Sequence, residues 1–252
     1  MDQIQIPKKI HYFWFGGKAK PARVEKCIAS WKRFCPDFEI IEWNESNYDI
    51  HKHPFMERAY ADEKWAFVTD YARLDVLYEY GGIYLDTDVE LIKDLTPLCA
   101  YKGYIGFERI DLVNDGQGFG CVRKMPILKE MLVFYDYAIK GQIDYIESPK
   151  LRTEALIKHG LKLNGTMQRV ADMQIFPMDY FCPKDWHTGL LKITENSYSI
   201  HHFEGSWHEK RGRKYIFVMR LFNICFGKEK GTILFKKLIA IKDSLKERKR
   251  SA

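Results

Sequence analysis

The sequence predicts an α/β fold, in which helices flank a sheet, for the first 209 residues of the chain. Strand-like and helix-like segments alternate along this part, as is typical of α/β domains. The hydrophobic fraction of 46% in 252 residues provides enough apolar surface for one sizeable core. The same composition, with a charged fraction of 29%, excludes an intrinsically disordered chain, a collagen and a coiled coil.

The chain opens with a predicted strand, helix and strand. The apolar run at residues 9–15 predicts a buried first strand that ends at a Gly-Gly pair. Pro21 begins a helix whose apolar residues keep a helical spacing, and this helix ends before Pro36. Residues 38–43 predict the second strand. This opening resembles half of a nucleotide-binding sheet of the Rossmann type, although it lacks the usual glycine signature.

The best-defined helix lies further along the chain. Apolar residues recur at helical spacing between positions 67 and 78, and a second Gly-Gly pair ends the helix. Residues 83–85 predict a short buried strand that leads directly into Asp86-Thr87-Asp88. The later elements are a strand at 104–107, a Gly/Asn/Asp-rich loop at 114–120, a helix from about Pro126 to Ile139, and short strands at 174–177 and 197–203.

Two carboxylates, Asp86 and Asp88, follow this short strand with one residue between them. Like charges held so close repel and raise each other's pKa, and a divalent cation removes that cost. Carboxylate oxygens suit Mg²⁺ and Mn²⁺, whose coordination shells are completed by substrate phosphates. The motif therefore indicates metal-diphosphate chemistry, although Asp-x-Asp also occurs in solvated turns.

Asp70 and Arg73 are spaced i, i+3 on the helix before this strand, so their side chains can pair. The intervening turn leads the chain straight into the strand of Asp86. We expect the turn to bring the pair near the carboxylates, where Arg73 meets a sugar hydroxyl or phosphate and Asp70 fixes it. The alternative is an ordinary surface ion pair that contributes about 0–1 kcal/mol.

Four separated motifs together resemble glycosyltransferase family 32. They are the IPKKIHYFWFGG run at 6–17, Asp70-x-x-Arg73, the GGIYLDTD run at 81–88, and the His-x-x-x-x-Ser-Trp pattern that ends at Trp207. The family includes yeast-type α-mannosyltransferase initiators, bacterial capsule and lipopolysaccharide sugar transferases and, more remotely, clostridial glucosylating toxins. The resemblance covers roughly residues 4–209. It implies a GT-A fold, a nucleotide-sugar donor, a divalent metal and retention of anomeric configuration.

The resemblance also implies roles for single residues. Trp14 matches a tryptophan that stacks on the nucleobase, a contact for which an indole face is suited, and Asn47 matches a nucleoside-side position. Without the family, Trp14 would equally be read as a core aromatic residue. Asp70 and Arg73 match residues that bind the donor sugar, and Arg73 is expected to be catalytic.

The metal site follows from the same match. Asp86 matches a carboxylate that reaches the ribose and sugar or a metal-bound water, and Asp88 matches the direct metal ligand; both are expected to be catalytic. His201 is preferred to His202 as a further ligand of the metal or diphosphate, although an isolated histidine is often merely packed or hydrogen-bonded. The implied cofactor is Mn²⁺ or Mg²⁺, and a histidine ligand is compatible with Mn²⁺ in particular.

Ser206 and Trp207 match positions that donate hydrogen bonds to the diphosphate through a hydroxyl and an indole N–H group. These donors would stabilise the leaving group. Retaining enzymes of this type are thought to let the acceptor attack from the leaving-group side, so that no dedicated base is needed, and none stands out in the sequence. The loop at residues 114–118 is a candidate contact for the sugar or the acceptor, although such clusters are usually turns.

The charge of the chain is concentrated at one end. Residues 210–252 contain fourteen Lys and Arg against three Asp and Glu, a local charge of +11 in a chain of net charge +6, which leaves −5 for residues 1–209. This division predicts a GT-A catalytic domain at 1–209 and a basic helical tail at 210–252. The tail forms an amphipathic pattern, with Leu234, Leu238, Ile241 and Leu245 on one face and Lys242 and Lys246 on another.

Such a tail is suited to an anionic membrane surface, where a lipid-linked acceptor would wait. The alternative is a solvated helix that packs on the catalytic domain, and nothing in the first 209 residues supports nucleic acid as a partner. The six cysteines contain no Cys-x-x-Cys pair, which indicates neither a zinc site nor a disulfide framework and favours a reducing cytosol. No signal peptide is recognisable, and the apolar stretch 215–226 is too short to span a bilayer. We expect a cytoplasmic protein, peripheral on the inner face of the cell membrane.

The patterns together predict a metal-dependent retaining glycosyltransferase. It would move a hexose or N-acetylhexosamine from a nucleotide sugar, with a UDP-sugar favoured, to a saccharide or lipid-linked saccharide in surface polysaccharide synthesis. One alternative is a haloacid-dehalogenase-like phosphohydrolase, whose motif requires Thr or Val where Glu90 stands. A Rossmann dehydrogenase is poorer, because residues 116–120 are not G-x-G-x-x-G. A catalytically silent sugar-nucleotide-binding domain is the third.

Overall fold

The computed structural model describes residues 4–137, 145–203 and 210–250. The chain divides into two compact units. The first comprises Met1–Pro183 and Ile193–His202, and the second comprises Lys184–Lys192 and Phe203–Ala252. Residues 184–192, which lie on the N-terminal side of the predicted boundary at 209, therefore group with the second unit.

The first unit is built on a mixed sheet of eight strands in the described part of the chain. In sheet order, seven of them are β2 (Glu39–Trp43), β1 (Lys9–Phe13), β3 (Gly82–Tyr84), β7 (Phe119–Cys121), β5 (Gly103–Arg109), β9 (Met173–Phe176) and β8 (Gln168–Val170), and β6 (Leu112–Asn114) pairs with β5. β1 runs parallel to β2 and β3, and β5 runs parallel to β9. The other neighbouring strands of this sheet are antiparallel.

Helices cover both faces of this sheet, which confirms the predicted α/β class. They are α1 (Ala22–Phe34), α2 (Pro54–Ala61), α3 (Trp65–Tyr80), α4 (Pro126–Tyr137), α5 (Ser148–Lys158) and α6 (Met178–Phe181). The predicted helices at 21–35 and 67–78 correspond to α1 and α3. The elements α2, α5, α6, β6, β7 and β8 were not predicted.

Alternating side chains of the strands feed two hydrophobic cores, one on each face of the sheet. In β1, Tyr12 joins the core beneath α1, whereas Phe13 joins the core with α3 and α4. In β3, Ile83 and Tyr84 divide in the same way. Because both faces are covered, β1, β3 and β5 are mostly apolar, which is why these three strands could be recognised in the sequence.

A second, two-stranded sheet joins distant parts of the first unit. β4 (Val89–Leu91) pairs antiparallel with β10 (Ser199–His201), and the register places His201 opposite Val89. The strand predicted at 197–203 is therefore present in shorter form. Its partner β4 was not predicted, although the pairing places the late histidine segment beside the residues that follow β3.

The second unit contains a helical hairpin, in agreement with the predicted basic helical extension. α7 (Lys210–Phe226) and α8 (Lys228–Arg250) are separated by Gly227, whose φ of +81° lies in the left-handed region that glycine adopts easily. Phe235 is buried and lies against the rings of Tyr215 and Phe222. Among the described residues, no helix is both long enough and apolar enough to cross a membrane.

Candidate functional site

A tight Gly-Gly turn connects α3 to β3 and brings two parts of the site together. Gly81 and Gly82 have φ values of +65° and +107°, a region that favours glycine. A side chain at Gly82 would meet His11 Nε2 at 2.8 Å. The Nε2–H group of the buried His11 donates a hydrogen bond to the Gly81 carbonyl at 2.9 Å. This contact holds the turn closed, and Asp86 and Asp88 follow directly after the strand that the turn begins.

Arg73 of α3 is buried and contacts three carboxylates. Its Nη2 atom lies 2.9 Å from Asp70 Oδ1 and 3.3 Å from Asp86 Oδ1. Its Nη1 atom lies 3.0 Å from Asp115 Oδ1. The predicted pairing of Asp70 with Arg73 is present, but as an interior contact rather than a surface ion pair. The guanidinium group therefore links α3 to Asp86, which follows β3 in the chain.

The buried charges shift one another's pKa values. Burial raises the pKa of Asp70 to about 7, because Arg73 is shared with other carboxylates and only partly offsets the lost hydration. Burial also raises the pKa of Asp86; Arg73 opposes this rise, and the nearby Asp88 carboxylate adds to it. The site therefore holds more negative charge than Arg73 alone neutralises.

Asp86, Asp88 and His201 form a cluster of metal-binding groups. One candidate ligand atom from each residue lies within 4.8 Å of the other two. The Nε2 atom of His201 lies 3.4 Å from Asp88 Oδ1, and the hydroxyl of Tyr84 donates a hydrogen bond to Asp86 Oδ1 at 2.7 Å. The structure thus brings together all three predicted metal-ligand positions, although they come from two distant segments.

The neighbouring His202 faces a different set of groups. Its Nε2 atom lies 2.8 Å from Glu90 Oε2, and its Nδ1 atom lies 3.2 Å from Arg23 Nη2. Since an arginine only donates, Nδ1 accepts and Nε2–H donates to the carboxylate. The two histidines point to opposite sides because they are successive residues at a strand end. Only His201 is in the cluster with Asp86 and Asp88.

The cluster fits a divalent cation. Two carboxylates and one imidazole form a mixed oxygen and nitrogen donor set, which Mn²⁺ accepts readily and Mg²⁺ less so. Burial alone would lower the pKa of His201, but the Asp88 and Asp86 carboxylates raise it to about 9. A cation bound to the same carboxylates would balance their negative charge in place of a protonated His201. His201 must be neutral to act as a ligand.

The loop between β6 and β7 packs directly against Asp86. The backbone N–H of Asp86 donates a hydrogen bond to the Gly116 carbonyl at 2.8 Å, and the Gly116 N–H donates to Asn114 Oδ1 at 2.6 Å. A Cβ atom at Gly116 would overlap Asp86 Oδ2. The loop that the sequence marked as a sugar or acceptor contact therefore lies at the site and supports its aspartate.

A second buried arginine, Arg152 of α5, completes this network. Its Nε atom lies 2.7 Å from Asp115 Oδ2, and its Nη2 atom donates hydrogen bonds to the Asp70 carbonyl at 2.7 Å and to Tyr135 Oη at 2.9 Å. Burial alone would raise the pKa of Asp115, but Arg152 and Arg73 hold it below its usual range. Neither Asp115 nor Arg152 was singled out as a site residue, because nothing in the local pattern links them.

Trp14 follows β1 at the same edge of the sheet as Asp86. β1 and β3 are adjacent and parallel, so their carboxyl ends meet at one edge, where open α/β sheets bind ligands. The indole N–H of Trp14 donates a hydrogen bond to the Lys18 carbonyl at 2.6 Å, and the Lys20 ammonium lies 5.9 Å from the ring centroid. The ring is half-buried, so part of it remains accessible.

The structure does not place the remaining predicted donor-binding residues, Asn47, Ser206 and Trp207, in contact with the site. The side chain of Asn47 is used within its own turn, where Oδ1 accepts from the Asn44 N–H and Nδ2 donates to the Glu42 carbonyl, both at 2.8 Å. Its proposed contact with the nucleoside stays a prediction. Ser206 and Trp207 lie outside the described residues.

A surface depression of about 590 Å³ lies beside the end of β1. Its lining includes Gly16, Glu45, Tyr60 and Trp65. Glu45 Oε1 accepts hydrogen bonds from the Gly16 N–H at 2.6 Å and from the Tyr60 hydroxyl at 2.9 Å. A Cβ atom at Gly16 would press on the Trp65 indole at 3.1 Å, so glycine allows this ring to approach the backbone closely.

Residues 21–104 match the family described as "Glycosyltransferase sugar-binding region containing DXD motif". The matched segment contains α1, the Asp70 and Arg73 pair, and the motif formed by Asp86 and Asp88. It therefore includes the part of the site that comes from the first half of the chain.

Curated proteins with related sequences are also sugar transferases. Inositol phosphoceramide mannosyltransferase 1 of Schizosaccharomyces pombe is 29% identical over 144 residues, which are 52% of this chain and 43% of that protein. The α-1,4-N-acetylglucosaminyltransferase of Homo sapiens is 24% identical over 183 residues, which are 70% of this chain and 47% of that protein. The chain thus spans less than half the length of the curated relatives it matches.

Among solved structures, the PaToxG glycosyltransferase matches with a TM-score of 0.50 at 22% sequence identity, over 61% of this chain and 70% of that one. This likeness concerns the fold, and the mixed sheet flanked by helices has the predicted GT-A architecture. The resemblance noted in the sequence is confirmed by the family match. With Asp86 and Asp88 directly after β3, residues 21–104 are similar to the glycosyltransferases whose sugar-binding region contains a DXD motif.

Proposed function

We propose that the protein is a metal-dependent retaining glycosyltransferase that uses a nucleotide-sugar donor, with a UDP-sugar favoured. It moves a hexose or N-acetylhexosamine to a saccharide or lipid-linked saccharide in the synthesis of a surface polysaccharide such as a capsule or lipopolysaccharide. The observation that carries the proposal is the convergence of Asp86, Asp88 and His201 beside the buried Arg73. The relatives, whose names describe transfer of mannose and N-acetylglucosamine, support this class of donor.

Asp88, Asp86 and His201 are the residues that would hold Mn²⁺ or Mg²⁺. When bound, the metal supplies a Lewis acid that neutralises charge on the departing nucleoside diphosphate. Oxygen and nitrogen ligands at a sheet edge leave part of the coordination shell to the donor phosphates. We propose that Ser206 and Trp207 add hydrogen-bond donors to the same leaving group, as the sequence predicts.

The role we propose for Arg73 is to hold the Asp86 carboxylate in place and to supply a positive charge. Its Nη atoms contact Asp70, Asp86 and Asp115, and its Nε donates a hydrogen bond to the Thr69 carbonyl at 3.2 Å. A guanidinium held on so many sides loses little further freedom during a reaction. It therefore orients Asp86 and supplies positive charge beside the donor sugar.

Trp14 and the depression at the end of β1 are the proposed place of the nucleoside. A half-buried indole offers a flat face, and stacking of a base on such a face contributes about 1–3 kcal/mol. Since β1 and β3 end at one edge, a nucleoside at Trp14 and a diphosphate at Asp88 lie in the order that a nucleotide sugar requires. Asn47 is proposed to contribute on the nucleoside side.

The test is hydrolysis of a panel of UDP- and GDP-sugars by the purified protein with Mn²⁺, followed by chromatography of the released nucleoside diphosphate. We expect release that depends on the metal and that Asp88→Asn reduces by about a hundredfold or more, as loss of a metal ligand implies. Asp37→Asn is the matched control, since Asp37 is an exposed carboxylate that lies 3.8 Å from Lys8. Release that persists unchanged in Asp88→Asn contradicts the proposal, and inorganic phosphate released from a phosphomonoester indicates a phosphohydrolase instead.

A further inference from the structure

The helical hairpin of α7 and α8 exposes an unusual amount of apolar surface. Among the side chains that the structure describes on these two helices, eight large hydrophobic ones are exposed to solvent: Phe217, Leu221, Ile224, Phe226, Ile233, Leu234, Leu238 and Ile241. Scattered single exposures are normal in soluble proteins, whereas contiguous apolar surface marks an interaction site. The question is which partner fits this surface.

On α8, the exposed residues form a stripe. Leu234, Leu238 and Ile241 recur at i, i+4 and i+7, which places them on one side of the helix, and their exposed fractions are 41%, 47% and 57%. We call these three residues the α8 stripe. Each of these side chains therefore presents much of its surface to solvent, beside the residues of α8 that pack against α7.

The inward side of α8 is defined by Phe235 and Gly231. Phe235 is buried, with ring centroids 6.0 Å from Tyr215 and 5.9 Å from Phe222. A Cβ atom at Gly231 would meet the Phe222 carbonyl oxygen at 2.5 Å, so the two helices touch closely here. The hairpin thus has its own small core, and the α8 stripe borders this core on the exposed surface.

The charges around the stripe select an anionic partner. Lys230 and Lys237 lie four residues before and three residues after Leu234, which places them beside the stripe on the same helix, and the segment 210–252 as a whole has a charge of +11. A second copy of the chain would bring a like charge of the same size against this one, which opposes self-association. On α7, by contrast, Arg220 is occupied by a hydrogen bond to the Trp186 carbonyl at 3.0 Å.

We propose that the α8 stripe inserts into the interfacial layer of an anionic lipid bilayer, with Lys230 and Lys237 at the level of the headgroups. Apolar side chains on one side and lysines beside them are the arrangement of helices that lie in a membrane interface. Long lysine stems reach the headgroups while the leucines enter the acyl boundary. The placement fits a cytoplasmic, peripheral protein on the inner face of the cell membrane, and it does not depend on the proposed reaction.

The experiment is co-sedimentation of the full chain with vesicles of phosphatidylcholine, with and without phosphatidylglycerol. We expect binding that requires phosphatidylglycerol and weakens as salt is added. The double variant Leu234→Gln with Leu238→Gln should weaken binding by about tenfold or more, because the transfer of apolar surface is lost. Lys230→Gln with Lys237→Gln should weaken it by about tenfold.

The matched control is Val133→Gln with Ile157→Gln. These residues lie on α4 and α5 of the first unit and are each 44% exposed, so they resemble the two leucines in exposure and setting. Circular dichroism and donor hydrolysis are measured on every variant, which separates loss of membrane binding from loss of fold or activity. Wild-type protein that does not sediment with phosphatidylglycerol vesicles overturns the proposal. So does binding that the leucine pair leaves unchanged, or that the control pair reduces equally.

Discussion

Arg152 and Asp115 form a fully buried ion pair, with 2.7 Å between Nε and Oδ2. Asp115 also contacts Arg73, and Arg73 contacts Asp86. Arg152 of α5 is therefore connected to the cluster of Asp86, Asp88 and His201. Ser148 donates a further hydrogen bond to Asp115 Oδ1 at 2.9 Å. Breaking a pair of this kind is costly because it leaves a charge without a partner in the interior.

Replacing Arg152 with methionine is expected to lower the free energy of unfolding by about 3–5 kcal/mol, measured by urea denaturation. Arg152→Lys should fall between this variant and the wild type, because lysine keeps the charge but lacks the forked donors. The control Arg169→Met removes the arginine of an exposed pair with Asp172 and should cost no more than about 1 kcal/mol. Equal losses for Arg152→Met and Arg169→Met would show that the buried pair does not support the fold.

Stability should fall in acid because of His11. The burial of its imidazole lowers its pKa to about 4 from 6.5, although the hydrogen bond to Gly81 partly opposes this. Its Nδ1 atom faces the Trp43 indole N–H at 3.1 Å, so a second ring proton would meet a donor. The unfolded chain therefore binds more protons than the native one between pH 6.5 and pH 4. The stabilisation by neutral His11 is complete above pH 6.5 and is lost as the pH falls towards 4, by about 3 kcal/mol.

The measurement is the urea unfolding free energy of the wild type and of His11→Gln across this pH range. The variant should be less stable at pH 7 and should show a shallower decline in acid, since the titrating group is gone. His51→Gln is the control, because His51 is an exposed histidine whose Nδ1 lies 2.9 Å from Glu57. A decline that is equally steep in His11→Gln would assign the acid sensitivity to other groups.

The two adjacent histidines should differ sharply in metal binding. His201→Gln is expected to weaken Mn²⁺ affinity, measured by isothermal titration calorimetry, by about tenfold or more, since a ligand is lost. His202→Gln removes a contact with Glu90 and Arg23 and should change the affinity less than about threefold. The reverse order would identify His202 as the ligand.

Gly116→Ala should disturb the site without unfolding the protein. The added methyl group overlaps Asp86 Oδ2, so the carboxylate must move away from its contacts with Arg73 and Tyr84. We expect Mn²⁺ affinity to fall by about tenfold while circular dichroism stays native. Gly160→Ala is the control for backbone strain alone, because nothing lies within 4 Å of its added Cβ while its φ is +93°; it should lower stability and leave Mn²⁺ affinity unchanged. Unchanged Mn²⁺ binding in Gly116→Ala would mean that the ligand set does not need Asp86 in its present position.

Much of the fold was predictable because the central strands and α1 and α3 carry strong periodic patterns. The short strands β6, β7 and β8 have three residues each, too few to produce a period. α2 has only eight residues, which is too short for a clear pattern. α5 has low apolar contrast along its length and buries Arg152. A charged residue inside a helix is read as surface from the sequence, so tertiary pairing overrides the pattern here.

The site was predictable where its residues are close in sequence. The spacing of Asp70 and Arg73 on one helix, and of Asp86 and Asp88 after one strand, correctly indicated that these groups would meet. Asp115 and Arg152 are 37 residues apart, and their pairing depends on how α5 packs against the loop after β6. The amphipathic pattern of α8 was visible too, but only the structure shows that Phe235 faces α7 while Leu234 and Leu238 stay outside.

The pairing of β4 with β10 makes the order of synthesis matter. Glu90 and His202 meet across 112 residues of chain, and closing a contact of such long range is slow because the intervening loop must first be ordered. A growing polypeptide on the ribosome cannot form the cluster until its last ligand segment has emerged. Unfinished chains, and fragments clipped before β10, would therefore lack metal-dependent activity even if their main sheet had already folded.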